Sequence, residues 1–400
     1  MQGKDYPAIE DQYGSGAFQK YPLTLVKGSG ASVWDVEGKE FIDCMAGYGV
    51  AITGHCNPWV VKAVREQAEK LITCHGSFYN DARSEFLEQL ATVTPSGLDS
   101  ALLTNSGAES VEAAIKMARR YSGRKKIISM KGGFHGKTFG ALSATWNKKY
   151  RDPFQPLVPD FEFVEYGSAP ALEAELSEET AAVIAEPIQG ETGIRFPPPD
   201  YLSAVRELCD MNGALLILDE IQTGLGRTGK MWASEHSGII PDIMTVSKGL
   251  GGGVPIGAAI ARREITQSIR KGEHTSTFAG NPLACAAASA NLDFIVRNKL
   301  PEMAESKGKE MKSVLSGIAS RHKIAREVRG LGMMLALELR VDMHQVLLHS
   351  LGSGVIFGYS GRDIVRLLPP IVIAGGQMRK ALDVLEEAVR FEETRRFGQD

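Results

Sequence analysis

Between about residues 100 and 260 the chain alternates seven short β-rich runs (ALLT, KIISM, FEFVEY, AAVIAE, ALLILDE, IMTVS and IGAAIA) with stretches of helical periodicity. Strands that return in the same direction need a crossover, and a helix is the usual one. The alternation therefore predicts an α/β fold: a mostly parallel sheet of seven strands with helices on both faces. In such a sheet, side chains that do chemistry gather beyond the C-terminal ends of the strands. At 400 residues the chain exceeds one ordinary domain, so a large core with a smaller attached unit is expected.

Outside this region the texture changes. After about residue 297 come a charged helical stretch, PEMAESKGKEMKSVLSGIASRHK, then GMMLALELR, VIFGY and IVRLLPP as strands, then a last amphipathic helix. The first sixty residues hold a hairpin-like pattern, LTLVKGSGASVWDVEGKEFIDCMAG, turning at VEGKE. The expected division is 1–60 as the N-terminal part of a smaller α+β domain, 61–297 as the large domain and 298–400 as the C-terminal part, with both termini joining in one unit.

Several functional classes are disfavoured. A net charge of -3 offers no basic field for nucleic acid. PLACAAASANLDFIV reads as a closely packed internal helix and falls short of the roughly 18–20 apolar residues of a membrane span, so no membrane partner is expected. MQGKDYPAIEDQYGSG lacks the apolar core of a secretory signal. Five cysteines (Cys44, Cys56, Cys74, Cys209, Cys285) without a CxxC pair indicate neither a disulfide framework nor a zinc site. A cytoplasmic protein with reduced thiols is expected.

PDIMTVSKGLGGGVPIGA sets one lysine, Lys248, between a strand and a glycine-rich loop. A lysine is usually a solvated surface charge. At a strand end its amine is partly buried, burial lowers its pKa, and a neutral amine can attack a carbonyl. In ALLILDEIQTGLGRTG, Asp219 stands at the end of another apolar run, 29 positions (248 minus 219) before the lysine. A helix cap or a magnesium carboxylate are the plain alternatives, and the second needs a GxxxxGK[ST] loop that the chain lacks. A buried carboxylate there can hold a proton on a pyridine nitrogen. In TNSGAESVEAAIKMARRY, Ser106, Gly107 and Ala108 open an amphipathic helix whose start is either an ordinary cap or a phosphate cradle. A phosphorylated pyridine aldehyde would use all three features.

With GGFHGKTFGALSAT, AAVIAEPIQGETG, STFAGNPLACAAA, VRGLGMMLALEL and VRLLPPIVI in the same order, the chain resembles the class III aminotransferases, pyridoxal-phosphate enzymes of fold type I, over nearly its whole length. The resemblance implies that Lys248 forms the covalent link to pyridoxal 5'-phosphate and that Asp219 pairs with its ring nitrogen. It also implies that Phe134 stacks on the ring with His135 beside it, that Gln222 approaches the ring hydroxyl, and that Ser106, Gly107 and Ala108 serve the phosphate. Thr277 resembles the phosphate ligand given by a second subunit, with Ser276 near the substrate, which implies a homodimer with shared active sites.

On the substrate side, Arg366 resembles the arginine that grips the α-carboxylate of glutamate, and Glu191 the carboxylate that masks it. The two together imply a terminal amine and 2-oxoglutarate as partners. The family's FHGR arginine is Lys137 here, which keeps the charge for a distal substrate carboxylate but lacks the bidentate fork. GSGAFQKYPLTLVKGSGASVWDVEGKEFIDCMAGYGVAITGH and LSATWNKKYRDPFQPLVP are most similar to the acetylornithine and acetyllysine branch, above all to members of lysine and arginine biosynthesis whose substrate rides on an acidic amino-group carrier protein. Lys20, Lys148, Lys149 and Arg151 either form a solvated surface or rim the entrance and steer that carrier. Ornithine or 4-aminobutyrate aminotransferase and a semialdehyde aminomutase stand as alternatives. A nicotinamide dehydrogenase would need GxGxxG between strand and helix, which GLGGGVPIGA does not supply, and a non-catalytic binding module would not need Lys248, Asp219 and Arg366 together.

Overall fold

The computed structural model describes residues 4–398. Strands β1 (Leu25–Ser29), β2 (Ser32–Asp35) and β3 (Glu40–Asp43) come first, with VEGKE in the turn between β2 and β3 as expected. The seven β-rich runs then form β4 (Ser100–Thr104), β5 (Lys126–Met130), β6 (Phe161–Val164), β7 (Thr180–Ala185), β8 (Leu215–Asp219), β9 (Ile243–Val246) and β10 (Gly257–Ala261). They make one seven-stranded sheet in the order β4-β10-β9-β8-β7-β5-β6. Neighbours from β9 to β6 pair in parallel, and β10 alone is reversed, antiparallel to both β4 and β9.

β7 to β10 are buried along their whole lengths. They read as unbroken apolar runs because helices cover both faces. Alternate residues still go to opposite sides. Ile184 and Ile217 pack with Val111, Ile115 and Met117 of the helix Gly107–Ser122. Their neighbours Val183 and Leu216 pack with Val205 and Leu208 of the helix Tyr201–Asn212.

Among the described residues no helix is long and apolar enough to cross a membrane. The run PLACAAASANLDFIV lies in the helix Pro282–Arg297, with Ala284, Cys285, Ala287 and Ala288 buried. These small side chains let it pack closely on the helices Pro58–Lys70 and Asp81–Val93.

The C-terminal region supplies β11 (Ala325–Leu331), β12 (Met334–Leu339), β13 (Val355–Ile356), β14 (Gly358–Ser360) and β15 (Ile364–Leu367). They do not all share one sheet with the N-terminal strands. β11-β12-β15-β14 is a sheet of its own, and only β13 crosses to pair in parallel with β3, extending β1-β2-β3. The boundary expected at residue 60 falls inside the helix Pro58–Lys70, which packs on Pro282–Arg297.

One buried amide fixes the glycine-rich loop. Asn291 Nδ2 donates to the carbonyls of Gly249 (2.7 Å) and Leu250 (3.0 Å), while its Oδ1 accepts from Thr53 Oγ1 at 2.7 Å. Asn291→Ala would leave three buried groups without partners at roughly 1–3 kcal/mol each before relaxation. A loss of about 3 kcal/mol in denaturant unfolding is expected; a loss below about 1 kcal/mol would show that the loop holds itself.

Candidate active site

The same-direction strands deliver their ends to one place. β8 ends at Asp219, β9 leads through Ser247 into Lys248, β7 runs into Glu186, β5 opens the turn 131–136, and β4 leads through Asn105 to the helix Gly107–Ser122. Lys248, Asp219, Glu186, Glu191, Gln222 and Phe134 line a cavity of about 230 Å³, together with His135, Gly136, Ile221, Gly107 and Ala108. Lys248 has a backbone φ of +32°, a conformation that L-residues hold only where the surroundings enforce it. Gly107 lies against Ile221, where a Cβ would come within 2.9 Å of Cδ1 and displace that side chain.

Burial pushes the Lys248 amine below its ordinary range; Glu191, Asp219 and Glu186 oppose the shift, and Arg366 adds to it. Asp219 is 4% exposed. Its Oδ2 lies 2.7 Å from Nδ1 of the buried His135, and its Oδ1 accepts from the Ile221 amide at 3.1 Å. The imidazole Nε2 is buried without a partner, which suits a ring that gives its proton to Asp219 through Nδ1. Glu186 is pushed up to about 7, mainly by burial and further by Asp219, against the opposing influence of His135. Its two oxygens accept from the amides of Phe134 and Gly190, each at 3.0 Å.

Arg366 is fully buried on β15. Its Nη1 lies 3.1 Å from Glu191 Oε1, its Nη2 donates to Gln222 Oε1 at 2.8 Å, and its Nε is buried without a partner. Burial works to raise the Glu191 carboxyl, but the Arg366 charge, Lys248 and hydrogen bonds from Arg366 and Gln222 outweigh it and hold the group below the usual range. Tyr48, itself at a positive φ of 59°, sets its ring 5.8 Å from the guanidinium.

Several residues singled out in the sequence lie elsewhere. Ser106 is not in the cavity wall; it caps the helix, its hydroxyl accepting from the Glu109 amide at 3.3 Å. Ser276 accepts from Asn105 Nδ2 at 2.9 Å, and Thr277 is exposed. Lys137 is exposed, with its amine 4.5 Å from the centre of the Tyr150 ring. The four proposed rim cations do not form one open field. Lys20 is tied to Asp11 (2.8 Å) and Glu10 (3.1 Å), and Arg151 lies over the Phe163 ring at 4.5 Å, so their charge or their reach is already committed. Sequence reasoning missed Glu186, Tyr48 and Tyr150. Glu186 bore a readable signal, since it ends an apolar run just as Asp219 does; Tyr48 had only its flanking glycines.

Pyridoxal phosphate asks for an amine whose pKa is lowered, a carboxyl group for the ring nitrogen, an apolar face and free amides for a phosphate. Lys248, Asp219, Phe134 and the helix start at Gly107 and Ala108 meet these needs around one cavity. On fold and site together the chain is a pyridoxal-phosphate enzyme of the aminotransferase type. The family model Aminotransferase class-III matches residues 13–389, and the chain belongs to that family. It is 48% identical to the acetylornithine aminotransferase of Methanopyrus kandleri over 96% of this chain and 99% of that one. It is 42% identical to the [LysW]-aminoadipate semialdehyde/glutamate semialdehyde transaminase of Sulfolobus acidocaldarius, over 92% of this chain and 95% of that one. Among solved structures, the ornithine aminotransferase of Toxoplasma gondii superposes with a TM-score of 0.94 at 34% identity, covering 98% of this chain and 96% of that one.

Glu186 gives a pH test. Its carboxyl, ordinarily near 4.5, is raised to about 7 in the folded chain. Between these values the folded protein keeps a proton that the unfolded chain has released, so stability falls as pH rises through that window. In cofactor-free protein, the melting temperature of wild type relative to Glu186→Gln should be highest at or below pH 4.5, decline toward pH 7 and level off above it. Parallel melting curves across that range would remove Glu186 as a buried proton holder.

Proposed function

We propose that the chain transfers the terminal amino group of an N-blocked ornithine or lysine, acetylated or carrier-linked, to 2-oxoglutarate in lysine or arginine biosynthesis, and that it does so in the cytoplasm as a homodimer. The observation that carries this reading is the Arg366–Glu191 pair beside Lys248, with Gln222 as its second partner. The printed activities of the relatives above support the same substrate class. The exposure of Thr277 in the single chain supports a second copy as the owner of the site it serves. We take 1–60 and 298–400 as the two parts of a smaller unit flanking 61–297, a division supported by the β3–β13 pairing.

When bound, pyridoxal phosphate supplies an electron sink for the carbon that gives up its proton. Lys248 would hold the cofactor, and its Nζ, whose pKa burial lowers, would take that proton and return it. Asp219, fixed by His135 and the Ile221 amide, would face the cofactor's ring nitrogen and hold a proton there. Glu186 fixes the backbone of Phe134, and so the stacking face.

Glu191 and Arg366 let one cavity serve two substrates. With a donor whose reacting end bears no carboxylate, Glu191 neutralises the guanidinium. With glutamate or 2-oxoglutarate, the substrate's α-carboxylate replaces Glu191 on Arg366 Nη1, while Gln222 stays on Nη2. A charge-assisted hydrogen bond of this kind contributes about 1.5–3 kcal/mol.

Two outcomes test the reading. Lys248→Ala should lower turnover by at least ~10³-fold, and transfer between amine and keto acid at an undiminished rate would end the proposal. Arg366→Ala should raise KM for 2-oxoglutarate ~10- to 100-fold while changing KM for the amine donor much less, each half-reaction being followed by cofactor absorbance. Equal loss in both halves would deny Arg366 its selective role.

A further inference from the structure

Arg366 meets Tyr48 across a turn whose backbone is unusual. Ala46, Gly47, Tyr48 and Gly49 have φ values of +50°, +62°, +59° and +89°, so four consecutive residues lie in the left-handed region, two of them with side chains that disfavour it. Such a run persists only where other contacts hold it. Just before the turn, Cys44 touches the segment after Arg366: its carbonyl accepts from the Leu368 amide at 2.7 Å, while its amide donates to the Ile356 carbonyl at 2.8 Å. Burial, with Tyr359 and Glu191, pushes the Tyr48 phenol up to about 12 against the opposing charge of Arg366, so a neutral ring faces the guanidinium at 5.8 Å.

One side chain holds the start of that turn. Asp43 ends β3, is 4% exposed, and through Oδ1 accepts from the amides of Met45 and Ala46, each at 2.8 Å. Its Oδ2 lies 2.7 Å from His55 Nε2, which faces a carboxylate and so carries the donated proton. His55 is placed in turn by backbone: its amide donates to the Gly30 carbonyl at 2.8 Å, and its carbonyl accepts from the Gly30 amide at 3.0 Å. Gly28 leaves room for the ring, since a Cβ there would lie 2.8 Å from His55 Cβ and 3.0 Å from its Cγ. Neither Asp43 nor His55 lines the Lys248 cavity.

Resting on the function proposed above, in which Arg366 takes the α-carboxylate of 2-oxoglutarate, we propose that Asp43 and His55 are positioning residues for that step. They fix the left-handed turn and so hold the Tyr48 ring against the Arg366 guanidinium. Once Glu191 has left Nη1, the guanidinium keeps Gln222 on Nη2 and the aromatic face beside it, so its direction toward the incoming carboxylate depends on that face. In the other half-reaction Glu191 stays on Nη1 and shares the task, and a displaced Tyr48 matters less. The pair therefore acts on recognition of the keto acid more than on recognition of the amine donor.

The test follows both half-reactions of the holoenzyme by cofactor absorbance. His55→Ala should raise KM for 2-oxoglutarate ~3- to 10-fold, the scale of one cation–aromatic contact, while kcat and KM for acetylornithine change by less than about twofold. Where His55→Ala does not fold, His55→Asn takes its place, its amide being too short to reach Asp43. His55→Gln keeps an N–H within reach of Asp43 and should bring KM back to within about twofold of wild type. In a Tyr48→Ala background the loss of His55 should add less than about twofold, because the pair acts through that ring. Equal rises in KM for both substrates, no recovery in His55→Gln, or a full His55 effect in the Tyr48→Ala background would each overturn the inference. If Arg366→Ala leaves KM for 2-oxoglutarate unchanged, the proposed role of Arg366 fails and takes this inference with it. The expected Arg366 effect beside an unchanged KM in the His55 variants overturns this inference alone.

Discussion

Burial of the Lys248 amine among charges of both signs is the constraint on which the rest of the site depends. An isolated ammonium in such a place would be prohibitively costly, and here burial instead drives the group toward its neutral form. The three surrounding carboxylates are kept from collapsing onto it because each has its own donors. Asp219 has His135 and the Ile221 amide, Glu186 the Phe134 and Gly190 amides, and Glu191 has Arg366. The lysine is therefore left available for chemistry, not locked in an ion pair. Its positive φ is consistent with a side chain held in place by its surroundings.

The division of labour among the carboxylates follows from their partners. Asp219 and Glu186 are fixed by an imidazole and by backbone amides at the strand ends. Glu191 lies in the segment after β7, and its partner Arg366 comes from the C-terminal sheet. On the function proposed above, a substrate carboxylate would compete for that partner directly. The same segment continues through Thr192 to Arg195, whose backbone exchanges two hydrogen bonds of 3.0 Å with Gln189.

Much of this was legible in the sequence, and the reason is geometric. Chemistry placed at the ends of buried strands leaves a signature of an apolar run stopped by one polar residue, as at Asp219 and Lys248, and all seven strands were readable from their composition. Arg366 and Glu191 were identified through resemblance, because their meeting depends on a contact over 175 positions that no local pattern encodes. The two readings of the basic residues, solvated surface or entrance rim, stayed open for the same reason. A run such as KKYR gives charge but not direction, and only folding shows Arg151 stacked on Phe163 while Lys148 borders a wider cavity that Phe134 and Glu191 also line. The strand pairing of the terminal segments was equally unreadable: they form two four-stranded sheets, and only β13 leaves the C-terminal group to reach β3.

Glu186, Gln189 and Asn291, whose roles no sequence pattern flagged, share one character: they are buried polar connectors bonded mainly to backbone groups. Glu186 joins the turn carrying Phe134 to the turn carrying Gly190, Gln189 joins Lys131 to Arg195, and Asn291 joins the loop after Lys248 to Thr53. Such residues act on position, since the loops they bind would otherwise sample conformations that misplace the aromatic face or the cations by an ångström or more. In this chain the strands supply the reacting groups, while the connectors hold the neighbouring loops in the geometry that selects what reaches them.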